Sequence, residues 1–117
     1  LFRSYELKST EVIIMAVITI TKDNFETEII NSATPVVVDF WATWCGPCQL
    51  QGPELEKFEA EYGAQVKVAK INVDEEPELA AKFGVASIPT LVKFDGGAEA
   101  SRVVGFNDKA GLAKAFL

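Results

Sequence analysis

Histidine is missing from this sequence altogether. Without it there is no Ser-His-Asp or Cys-His nucleophile, no imidazole base and no His-ligated metal. Cysteine is nearly absent, with Cys45 and Cys48 the only two. Two are too few for a four-ligand structural zinc site within one chain, or for the framework of a small secreted disulfide protein. Positive charge is scarce: 11 Lys and Arg stand against 17 Asp and Glu, a net charge of −6. That balance argues against a nucleic acid or an anionic membrane as partner. No apolar stretch is long enough to span a bilayer. Val12 to Ile18 is a short apolar run, but Glu6 and Glu11 precede it and no small-residue cleavage site follows. A signal peptide is therefore not expected, and the reading is cytoplasmic, with no membrane, nucleic-acid or metal partner.

What is present is one globular domain's worth of chain. Hydrophobic residues make up 49% and charged residues 24%, which fits an ordered α/β protein with a single core. The two cysteines lie together in Trp44-Cys45-Gly46-Pro47-Cys48. This follows the apolar run Pro35 to Trp41 and precedes a helix-like segment, and a strand feeding a helix through C-x-x-C is a redox motif. Residues i and i+3 share a helix face, so the two sulfurs can reach disulfide distance without moving the backbone. Cys45 falls at the helix N-terminus, where unpaired N–H groups and the macrodipole favour a thiolate. Gly46 leaves the turn open to a partner chain, and Pro47 suits a first helical turn.

Along the chain, Val17 to Ile20 reads as a short strand. Thr21 or Asp23 is then expected to cap a helix that buries Phe25, Ile29 and Ile30. The continuous apolar run Val36 to Phe40 predicts a central strand covered on both faces. The helix after Cys45 is expected to reach about Tyr62 and to kink at Pro53, with Leu55 and Phe58 inward and Glu54, Glu56, Glu59 and Glu61 outward. Gly63 ends it, and Val66 to Val73 is the next strand. Asp74 is expected to cap a short helix that Gly84 closes. Leu91 to Phe94, a turn at Asp95-Gly96-Gly97 and about Arg102 to Val104 form a hairpin. Asn107 is expected to cap the last helix. The order is βαβαβα, then ββα: parallel pairing followed by an antiparallel hairpin.

The run Val38 to Cys48, then Pro53, Val68-Ala69-Lys70, Ile88-Pro89-Thr90 and Gly105, resembles the thioredoxins in order and in spacing. Gly-Pro between the cysteines is the thioredoxin dipeptide. The resemblance implies a thioredoxin fold, an α/β architecture with a central mixed sheet flanked by helices on both faces. It covers residues 15–117 and leaves 1–14 outside, an appended or upstream-translated segment rather than a functional arm. It also implies a protein disulfide reductase working by thiol–disulfide exchange, with no bound cofactor beyond a redox-active Cys45–Cys48 disulfide. Thioredoxin reductase and disulfide-containing proteins would be its partners, and it would act as a monomer. A thiol oxidase or isomerase on the same fold, or a non-catalytic peptide-binding module, are the alternatives.

On that resemblance Cys45 is the nucleophile, Cys48 the resolving thiol, and Gly46 and Pro47 the motif's support. Asp39 is a carboxylate inside an apolar strand, so burial should raise its pKa. It is either a satisfied structural group or the proton acceptor for Cys48. Lys70 either snorkels to the surface or, as the resemblance implies, sits near Asp39 and modulates it. The bond before Pro89 is trans by default, whereas the family has it cis. Trp44, Ser87, Ile88, Pro89 and Gly105 would form a groove for extended substrate. Trp41 is expected to support the core. Gln49, Gln51, Gly52 and Phe106 depart from the family pattern.

Overall fold

The computed structural model describes residues 16–117. The expectations for residues 1–14 lie outside the described residues. Five strands form one sheet: β1 (Ile18–Thr19), β2 (Val36–Trp41), β3 (Lys67–Asn72), β4 (Thr90–Asp95) and β5 (Ala98–Val104), in the order β1-β3-β2-β4-β5. Strands β1 and β2 run parallel to β3, while β4 is antiparallel to both β2 and β5. Helices α1 (Gly46–Tyr62), α2 (Pro77–Lys82) and α3 (Lys109–Phe116) cover the sheet together with a short π-type helix, Glu26–Ile30. The mixed sheet and the order of elements agree with the sequence reading.

The apolar run of β2 takes the centre because both of its faces are buried. Successive side chains alternate across the sheet. Val36, Val38 and Phe40 join Phe25, Ile29, Leu79 and Phe94 on one face. Val37 joins Leu55, Phe58, Leu91, Leu112 and Phe116 on the other, under α1 and α3. Asp39 shares the parity of Val37 and therefore lies on the α1 side, the side that carries the cysteines. The two-fold period of the strand thus decides which core the carboxyl enters.

Several local expectations are corrected. The first helix is a single π-type turn in which the Asn31 N–H reaches Glu26 O at 2.9 Å, with no side-chain cap. Thr21 and Asp23 do not cap it, and the Thr21 hydroxyl instead accepts from the Asp23 N–H. Glu59 is buried rather than outward, and burial pushes its pKa up. Its carboxylate folds back so closely that a Cβ on Gly63 would lie 2.6 Å from Oε2. Asp74 does not cap α2, whose N-cap position is Glu76 and has no side-chain bond. The Asn72 carboxamide takes the turn amides of Asp74 and Glu75 instead. Asp108, not Asn107, caps α3 by accepting from the Gly111 N–H at 2.8 Å. Strand β5 starts at Ala98, earlier than Arg102, because β4 extends its ladder down to a tight turn.

That turn needs its glycines. Gly96 and Gly97 have φ of +62° and +84°, the left-handed pair of a two-residue hairpin loop. A Cβ on Gly97 would also meet Ile30 O at 2.7 Å. No helix among the described residues is long and apolar enough to cross a membrane.

Candidate active site

Strand β2 delivers the chain into the site. After Trp41 the backbone turns, with the Cys45 N–H bonded to Ala42 O at 3.3 Å. Cys45 takes an extended conformation as the N-cap of α1, and its Sγ accepts the Cys48 N–H at 3.2 Å. Cap and first turn therefore bring the two residues to a Cα–Cα distance of 5.2 Å, joined as a disulfide. Pro47 occupies the first turn, where no N–H is needed. A Cβ on Gly46 would meet nothing within 4 Å, so the turn is open on that side. Ala42, Cys45 and Cys48 form a small core of their own, against which Trp41, Val73 and Ile88 pack.

The loop before β4 closes over the disulfide from the other side. The Ile88–Pro89 peptide bond is cis, and Cys45 Sγ lies 3.7 Å from Ile88 O. The Thr90 hydroxyl donates to Ser87 O at 2.6 Å, holding the turn. Gly105, at φ +94°, donates its N–H to Pro89 O at 2.8 Å. Trp44 is 70% exposed, and its indole N–H donates to Asp74 Oδ2 at 2.7 Å. A cavity of about 390 Å³ joins Trp44 to Val73, Val85, Ser87 and Ile88. Of the predicted groove residues, Ile88 packs on the cysteines, Trp44 and Ser87 line a cavity with it, and Gly105 is tied to Pro89 by its N–H.

Beneath it, Asp39 is 3% exposed and its Oδ1 has no hydrogen-bond partner. Burial raises its pKa from 3.8 to about 7, against the pull of the Lys70 charge. Lys70 is its register partner on β3. The Lys70 ammonium sits 5.4 Å from the centre of the Trp41 ring, a cation–π arrangement. Asp39, Lys70, Trp41 and Cys48 line one cavity of about 290 Å³. A carboxyl poised near neutrality and a cysteine thus face the same small space.

The Thioredoxin family pattern matches residues 16–117. The chain belongs to the thioredoxin family. It is 48% identical over 101 residues to the thioredoxin of Mycolicibacterium smegmatis, spanning 85% of this chain and 90% of that one. The thioredoxin of Streptomyces clavuligerus is 46% identical over 95 residues, 81% of this chain and 88% of the relative. The bifunctional thioredoxin reductase/thioredoxin of Mycobacterium leprae is 46% identical over 97 residues, 83% of this chain but 21% of that longer protein. Thioredoxins are thiol–disulfide oxidoreductases, and the Cys45–Cys48 pair fits the family's C-x-x-C centre.

Within this thioredoxin site, two contributors escaped the sequence reading. Asp74 holds the exposed Trp44 indole, and nothing in the acidic run Asp74-Glu75-Glu76 after a strand singles it out for that role. Gln51 was seen only as a departure from an apolar stretch. It is fully buried, and its carboxamide bonds both main-chain groups of Asn107. Gln49, the other polar departure, donates to Thr43 O at 3.0 Å and so braces the turn before Cys45.

Proposed function

We propose that this chain reduces disulfides in other proteins, with Cys45 as nucleophile and Cys48 as resolving thiol. The observation that carries the reading is the Cys45–Cys48 disulfide at the start of α1, above a buried carboxyl with a pKa near 7. In the reduced protein the Cys45 thiolate attacks one substrate sulfur, and the other substrate sulfur leaves as a thiolate. Asp39 takes the Cys48 proton. The Cys48 thiolate then attacks Cys45 Sγ, expelling the second substrate thiolate. The substrate gains two electrons and the enzyme ends as the Cys45–Cys48 disulfide.

Cys45 is suited to its part because the helix terminus and the Cys48 N–H both stabilise negative charge on its sulfur. Lys70 tunes Asp39 through charge. Gly46 and Pro47 keep the turn short and open. Trp44, Ser87, Ile88, Pro89 and Gly105 receive an extended substrate chain by backbone contacts, which read few side chains and allow many different proteins to bind. The reductase/thioredoxin fusion of M. leprae supports a thioredoxin reductase as the recycling partner. On this reading the protein acts as a cytoplasmic monomer with no bound cofactor or metal and no nucleic-acid partner. Residues 15–117 are the working domain and 1–14 an extension to it. Insulin reduction coupled to NADPH and a thioredoxin reductase tests the proposal. Turnover abolished by Cys45→Ser is expected, and turnover surviving that change would overturn it.

A further inference from the structure

Gln51 is an expensive residue to bury. A primary amide taken fully out of water costs several kcal/mol unless both of its polar ends are paired. Here both are paired, and with one residue: Gln51 Nε2 donates to Asn107 O at 2.8 Å, and Gln51 Oε1 accepts the Asn107 N–H at 2.9 Å. Two bonds to the N–H and C=O of a single residue fix the rotation of that backbone as well as its position. An apolar side chain would fill the same space and fix neither.

The bonded loop leads back to the disulfide. Asn107 Nδ2 donates to Gly105 O at 3.3 Å, and the Gly105 N–H donates to Pro89 O at 2.8 Å. Pro89 follows Ile88, whose carbonyl lies 3.7 Å from Cys45 Sγ. Gln51 itself is on α1, the helix that Cys45 caps. The contacts therefore close a circuit: Cys45, Ile88–Pro89, Gly105, Asn107, Gln51 and back along α1. The loop held in this way carries Phe106, which is 45% exposed, and follows Val104, which is 61% exposed. These two exposed apolar side chains flank Gly105, whose N–H is bonded to Pro89 O.

Attachment of α3 does not depend on this clamp. Its first turn is tied to α1 by the Lys109 N–H to Glu54 Oε1 bond at 2.8 Å. Its apolar face is held by Leu112 and Phe116 against Leu55 and Phe58. The position of the loop between Gly105 and Asn107 is what Gln51 adds.

We propose that Gln51 is a positioning residue whose buried carboxamide clamps the Gly105–Asn107 loop to α1 and so sets the groove that grips an extended peptide disulfide. The proposal rests on the disulfide-reductase reading. It predicts that the clamp matters for a substrate with chain on both sides of its disulfide, and not for one too small to reach the loop.

Gln51→Met and Gln51→Leu remove both bonds at similar volume. Each is assayed with a thioredoxin reductase on a disulfide-linked extended peptide and on the small aromatic disulfide DTNB. The expected result is a KM for the peptide raised about fivefold, the effect of losing about one net hydrogen bond, with kcat little changed. The rate with DTNB should stay at the wild-type value. An unchanged peptide KM, or equal losses on both substrates, would overturn the proposal. Amide hydrogen exchange needs no variant: the Asn107 N–H should be protected like the Leu112 N–H in the wild-type protein. Free exchange at Asn107 would also overturn it. A wild-type protein inactive on both disulfides would instead sink the reductase reading beneath it.

Discussion

Replacing Asp39 by Asn should make the protein more stable, by an amount that depends on pH in a defined way. In the unfolded chain the carboxyl ionises near 3.8, and in the fold near 7, because burial disfavours the charge more than Lys70 favours it. Below the lower value both states are protonated and the group has no effect. Between the two values the folded protein holds a proton that the unfolded chain releases, so stability falls as pH rises. Above the upper value the full cost is present, about 4 kcal/mol at about 1.4 kcal/mol for each pH unit between the two values. The amide stays neutral throughout. Its own desolvation shifts the comparison by a constant and does not bend it. The difference between variant and wild type should therefore grow by about 4 kcal/mol from about pH 3 to about pH 8, with about 2 kcal/mol reached near pH 5. Every other carboxyl titrates in both proteins and cancels. Urea melts of the two oxidised proteins across that range give the curve. A flat difference, or a variant less stable at pH 8 than at pH 4, would refute the reasoning.

The remaining predictions concern reactivity and backbone. In the reduced protein Cys45 should alkylate before Cys48. The two are equally buried at 4% exposure, so the helix terminus and the Cys48 N–H on Cys45 Sγ decide the order. Mass mapping after limited iodoacetamide treatment reads it, and preferential loss of Cys48 would contradict it. Gly52→Ala should raise stability by about 0.5–1 kcal/mol, since the site is helical and a Cβ there meets nothing within 4 Å. Gly97→Ala should lower stability by at least about 1 kcal/mol, because φ is positive and Ile30 O blocks the Cβ. Thermal melts compare the two, and equal effects would contradict the geometry.

The legible parts of this fold were those written as long, uniform patterns. The apolar run of β2, interrupted only by Asp39, announced a central strand, and the Cys45–Cys48 spacing announced a helix start. The cis bond at Pro89 could not be read from Ile-Pro itself, which is trans by default, and came from the family resemblance. What stayed hidden were choices between adjacent polar residues. Asn107 and Asp108 are both good caps, and only the backbone path decides that Asp108 faces the Gly111 N–H. Asp74 is a plausible cap as well, yet its carboxylate is engaged by Trp44, thirty positions earlier in the chain. Glu59 looked like part of an acidic helix face, but α1 turns it towards β1 and β3, where it lines a cavity with Val17, Ile18 and Val68. Gln51 was invisible for a related reason: a glutamine in a helix carries no sign that a loop from far along the chain will need its amide.

Trapping the covalent intermediate tests the central claim most directly. With Cys48→Ser the resolving step is removed, so the reduced variant mixed with a peptide disulfide should accumulate a mixed disulfide on Cys45. Intact-mass and peptide-map measurements should find the adduct at Cys45, and the Cys45→Ser variant should form none. An adduct on Cys48 in the Cys45→Ser protein, formed as fast as that on Cys45, would contradict the account.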